Sequence, residues 1–76
     1  MTNGRQFDEP AIYHIRVKGR VGRKWSDWFD GLTIAAQADE ETLLTGSVAD
    51  QAALHGLLRK IGDLGLPLLS VKREEE

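Results

Sequence analysis

Cysteine is absent from this 76-residue chain, so disulfides and thiolate metal sites are excluded. The two histidines, His14 and His55, lie too far apart in sequence to make a metal motif. No run of 18 apolar residues occurs, so no membrane-spanning helix is expected. The opening MTNGRQFDEP lacks the apolar centre of a secretory signal. Together with the missing cysteine, this gives the cytoplasm as the expected location. Neither the Walker spacing nor a GxSxG elbow is present: GRVGRK is not a phosphate loop, and Ser70 and Thr45 have no nucleophile context. No catalytic residue, cofactor or metal is therefore expected, and the balance is against an enzyme.

A chain this short makes one domain. Its single core typically leaves about 3–5 kcal/mol of net stability. With disulfides and metal excluded, self-association is the remaining common brace, and a homodimer is expected. Charge is near balance overall, at −2, but unevenly spread. Residues 1–24 hold six basic and two acidic side chains, whereas residues 25–76 hold four basic and ten acidic ones. Such asymmetry marks a binding face or a head-to-tail contact.

The chain is organised around Asp50 to Gly65, DQAALHGLLRKIGDLG, the one long helix in the sequence. Asp50 has the chemistry of an N-cap, and Gly65 followed by Pro67 that of a stop. Leu54, Leu57, Leu58, Ile61 and Leu64 form one helical stripe, with His55, Arg59 and Asp63 opposite. Gly56 and Gly62 weaken this helix by about 1 kcal/mol each relative to alanine. It needs a sheet to pack on.

Four strands supply that sheet. Ala11 to Lys18 alternates Tyr13, Ile15 and Val17 with His14, Arg16 and Lys18, the period of a half-buried strand. Leu32 to Ala36 and Thr42 to Gly46 read as a hairpin around ADEE. Leu66 to Lys72 is the last strand. The order is β-β-β-α-β, an α+β domain. A right-handed crossover through the helix would make the last strand parallel to the first and third. The expected sheet is therefore mixed, with order 3-2-1-4 preferred over 1-2-3-4 and the helix on one face. The other face is expected to carry Ile12, Leu43 and Leu68, which a second copy could cover. Residues 1–9 are expected to be a flexible arm, 10–73 the domain and 74–76 an acidic tail.

Several stretches form a joint pattern: YHIRVKG, WSDWFDGLTI, LLTG, DQAALHGLL and DLGLPLLSV. This pattern resembles a group of small bacterial proteins that carry no assigned activity. The resemblance covers most of residues 13–73. It implies a compact, complete domain, and it brings no substrate, cofactor or catalytic residue.

Three constellations stand out. In Trp25 to Gly31, WSDWFDG, Ser26 is placed to cap a short helical turn that Gly31 ends. Trp25, Trp28 and Phe29 would then share one face, either as a partner-binding patch or as a plug for the core. Asp27 and Asp30 suit capping and turn roles better than acid–base chemistry. Arg16, Lys18, Arg20, Arg23 and Lys24 make a basic segment beside Trp25. Charge with an adjoining ring is what a single-strand nucleic-acid binder uses, but no nucleic-acid motif accompanies it. His55 is expected at the surface or at an interface. The leading reading is a non-enzymatic protein–protein interaction module that self-associates. The alternatives are a nucleic-acid accessory protein using residues 16–25, and a ligand-binding or enzymatic role at an oligomer interface.

Overall fold

The computed structural model describes residues 9–74. The expected arm, apart from Glu9, and the last two glutamates lie outside the described residues. Four strands and one helix follow in the expected order: β1 (Ala11–Lys18), β2 (Thr33–Gln37), β3 (Glu41–Val48), α1 (Gln51–Asp63) and β4 (Leu68–Arg73). Among the described residues, no helix is long and apolar enough to cross a membrane.

The sheet order is β2-β3-β1-β4, and every pairing is antiparallel. This corrects both the expected order 3-2-1-4 and the expected mixed sheet. Strand β4 runs in the direction of β3, as the crossover argument requires, but β1 lies between them and is antiparallel to both. The reason is the length of the connection after β1. A short hairpin would force β1 and β2 to be neighbours. Residues 19–32 are long enough to step across β3 and deliver β2 to its far side. Only β2 and β3 are joined tightly, through a turn at Ala38–Glu40 in which Asp39 and Glu40 take positive φ. Two crossovers result, β1 to β2 over β3 and β3 to β4 over β1. This is the split β-α-β, or ferredoxin-like, topology, with its first helix reduced to a 3-10 turn at Arg23–Trp25 and the bends that follow.

Strand β1 runs against β3 in unbroken register, from Ala11 opposite Val48 to Lys18 opposite Glu41. Its alternation decides the two faces. Ile15 and Val17 are fully buried, as are their partners Leu44 and Thr42. Ile34 lies beside Leu44 on the same side. Leu57 and Ile61 of α1 close this core, together with Phe29 and Leu32 from the crossover. His14, Arg16 and Leu43 point the other way, towards a face that no element among the described residues covers.

The helix forms as its caps dictate. The Asp50 carboxylate accepts from the Ala53 amide at 2.8 Å. At the other end Gly65 takes φ +75°. Its amide donates to the Gly62 carbonyl at 2.9 Å, and the Leu66 amide reaches the Ile61 carbonyl at 3.2 Å. This paired closure satisfies carbonyls that would otherwise be orphaned. Leu57 and Ile61 are buried, and Leu54 and Leu58 are half-buried against the core. Leu64 departs from the expected stripe. It is 37% exposed, because it sits at the C-cap where the chain turns away from the sheet.

Two residues fix the first crossover onto the sheet. Gly46 leaves room for Leu32, since a Cβ there would lie 2.6 Å from Leu32 Cδ2. Thr42, the one buried polar side chain among the described residues, donates to the Gly19 carbonyl at 2.7 Å and accepts from the Val21 amide at 3.2 Å. The crossover is thus tied to β3 at both of its ends.

Leu57→Ala is expected to destabilise by about 2–5 kcal/mol in urea unfolding. Leu64→Ala should stay within about 0.5 kcal/mol of the parent. Gly46→Ala should destabilise by about 1–3 kcal/mol through overpacking against Leu32. Thr42→Val should cost about 1–3 kcal/mol by leaving the Val21 amide without its acceptor. A wild-type urea midpoint for Gly46→Ala would show that Leu32 does not need that space.

Candidate functional site

The tryptophan turn folds differently from its sequence expectation. The short 3-10 turn is complete before Ser26, which stands at its C-terminal end and not its start. The Ser26 hydroxyl instead donates to the Leu32 carbonyl at 2.8 Å. The Gly31 amide returns to the Ser26 carbonyl at 2.8 Å, with Asp30 and Gly31 both at positive φ. The turn therefore closes on itself, and its aromatics diverge. Phe29 is 0% exposed and plugs the core, so it is no surface anchor. Trp25 is half-buried against the same core. Trp28 is 42% exposed and meets Trp25 edge-on, with ring centroids 6.3 Å apart and an interplanar angle of 82°.

Lys60 of α1 holds this turn. Its ammonium donates to the Trp28 carbonyl at 2.9 Å, lies 3.3 Å from Asp30 Oδ1, and stands 5.5 Å from the centroid of the Trp28 ring. Asp30 is accordingly a turn residue with a cationic partner, not half of a carboxylate pair. Sequence alone gave no sign of this role for Lys60, because it depends on the crossover bringing Trp28 and Asp30 up to the helix.

The basic segment is divided by the fold. Arg16 lies on the open face of the sheet, with its guanidinium 3.7 Å from Glu41. The Lys18 ammonium donates to the Asp39 carbonyl at 2.6 Å. Arg20, Arg23 and Lys24 remain together, exposed, on the loop beside β2. Since Trp25 is half-buried, its ring is not splayed outward beside these cations, as stacking on a base would require. His55 is exposed on the outer side of α1 and belongs to neither group.

The open face gathers side chains from three strands. A shallow hollow of about 450 Å³ is lined by His14 and Arg16 of β1, Glu41 and Leu43 of β3, and Leu69, Ser70 and Lys72 of β4. Its composition follows from a register break. Ser70 pairs with Arg16 and Leu68 with Val17, which leaves Leu69 as the extra residue of a bulge. The bulge brings Leu69 to the hollow, where Leu68 was expected. His14 Nε2 lies 3.0 Å from Glu74 Oε1. Ser70 and His14 line the same hollow, but among the described residues no hydrogen bond joins them. Among the described residues, no three His, Asp or Glu side chains gather to hold a metal ion. The hollow suits contact with another surface: apolar centres at Leu43 and Leu69, ringed by charges of both signs.

Lys60→Met should cost less than about 1 kcal/mol, because its ion pair is partly solvated. It should also raise the accessibility of Trp28 to acrylamide quenching. Quenching at the parent level would mean that Lys60 does not restrain the turn.

Comparison with known proteins gives one family. The model described as Domain of unknown function (DUF8691) matches residues 12–72, from within β1 to within β4. No curated protein matches the chain. No solved structure matches it.

Proposed function

We propose, for a chain that belongs to the domain family of unknown function DUF8691, a role as a non-catalytic protein–protein interaction module that self-associates through the open face of its sheet. The observation that carries this reading is the one-sided core. Helix and crossover cover one face of the sheet, while the other keeps Leu43 and Leu69 in a charged hollow. A small core of this kind gains from a partner surface. The face is also self-complementary in charge. Arg16 lies near Glu41 and His14 near Glu74, with Lys72 on the same hollow, so a copy turned by a two-fold axis can set each sign against the other. Ile12 on the same face extends the apolar part. The hollow is shallow and open, which fits a protein surface better than a small ligand.

Sedimentation velocity at about 50 µM should show a dimer, a concentration at which modest interfaces are populated. Leu43→Lys should weaken that dimer at least about tenfold by placing a charge at its centre, with an unchanged circular dichroism spectrum. A parent that remains monomeric there removes the reading.

A further inference from the structure

The two edges of the sheet are not equally protected. Strand β4 begins after Pro67, carries the Leu69 bulge, and ends in Lys72 and Arg73. Proline, bulges and charge are the devices that discourage a further strand from pairing. Strand β2, at the opposite edge, has none of them. Thr33–Gln37 reads TIAAQ and pairs with β3 in unbroken register. Among the described residues its outward peptide groups have no ladder partner, since β2 neighbours only β3; the Gln37 side-chain amide donates to the Ala36 carbonyl at 3.2 Å and the Ala35 carbonyl at 3.5 Å, a contact that an incoming strand has to displace.

The two hollows beside this edge are basic, while exposed carboxylates stand at its ends, Asp30 before β2 and Asp39 and Glu40 after it. A hollow of about 660 Å³ follows the chain from Gly31 to Ala36, with Arg23 and Ser26 on its wall. A second, of about 370 Å³, continues past Ala36 and Gln37 beside Arg20. The loop of residues 20–24 thus runs along the strand edge and presents Arg20, Arg23 and Lys24. None of these three enters an ion pair among the described residues. Glu41 is the one carboxylate on either wall, and it is held by Arg16 at 3.7 Å.

We infer that the free edge of β2 takes up an extended acidic segment of a partner polypeptide as a fifth strand. Its main chain would pair with Thr33–Gln37, and carboxylates at alternate positions would meet Arg20 and Arg23. Strand addition of this kind draws affinity from the main chain and selectivity from alternate side chains. Charge argues against a second copy in this place. Antiparallel pairing of two β2 edges about a two-fold axis would set both basic loops on the same side of the joined sheet, cation against cation. This edge is separate from the open face, so the inference does not depend on the dimer.

The test uses the full chain and three labelled ten-residue peptides at low salt: alternating Val-Glu, alternating Val-Lys, and alternating Pro-Glu. The last keeps every carboxylate but loses half of its amide donors and disfavours strand pairing. Fluorescence anisotropy should show Val-Glu binding at least about tenfold more tightly than either control, the difference expected when charge and strand pairing are both required. Amide exchange should slow at Thr33–Gln37 when Val-Glu is bound. The Arg20→Glu, Arg23→Glu double variant should lose Val-Glu binding at least about tenfold while melting like the parent, as both side chains are exposed. Absence of Val-Glu binding, or equal binding of Val-Lys or Pro-Glu, would overturn the inference. So would slowed exchange that maps away from β2. Protection of Thr33–Gln37 that rises with protein concentration and needs no peptide would assign the edge to a second copy and overturn it equally.

Discussion

Everything in this fold depends on the antiparallel ladder between β1 and β3. It is unbroken from Ala11 opposite Val48 to Lys18 opposite Glu41, and it sits at the centre of the sheet. Its register sets Ile15 against Leu44 and Val17 against Thr42, which makes one side of the sheet apolar and leaves charges on the other. Because these two strands are neighbours, each must be crossed by the connection that leaves the other. The helix does this on one half. A turn that is barely helical does it on the other, and it needs help to stay down: the Thr42 hydroxyl, the space above Gly46, and the Lys60 ammonium.

The replacement of a helix by a turn has consequences for the surface. A full helix over β2 and β3 would bury that half of the sheet with its own side chains. Here the same work falls to Phe29 and Leu32, which leaves the loop of residues 20–24 free to lie along the edge of β2 with its cations outward. The left-handed Asp39 and Glu40 in the β2–β3 turn, at φ 62° and 57°, fit the same scheme. Their carbonyls accept from the Lys18 ammonium and the Gly19 amide, each at 2.6 Å. The strain of the turn is thus offset by contacts to the end of β1, which gives it a structural explanation.

Local features were legible from the chain. Strand β1 has the bounds that its alternation predicts, and Asp50 and Gly65 cap α1 as their chemistry predicts. The hairpin of β2 and β3 was also readable, although both strands are displaced or longer than their apolar positions indicate. The candidate surfaces were less legible. Trp25, Trp28 and Phe29 are close in sequence, yet one plugs the core, one is half-buried and one faces solvent. The spacing of aromatics does not reveal where a non-helical turn will point them. Leu69 reached the open face through a bulge, which has no sequence signal in LLSVK. Nothing in the sequence sets Lys60 apart from the other polar residues of the helix.

The sequence by itself determined the elements, their order, the two faces of β1 and the helix caps, because these depend on neighbours within a few residues. Only the tertiary structure decided which strands are adjacent, which of them stand at the edges of the sheet, and where the basic residues gather. Those outcomes depend on how far residues 19–32 can reach and what they pack against. A connection of that length is compatible with either side of β3 until Leu32 finds the gap above Gly46.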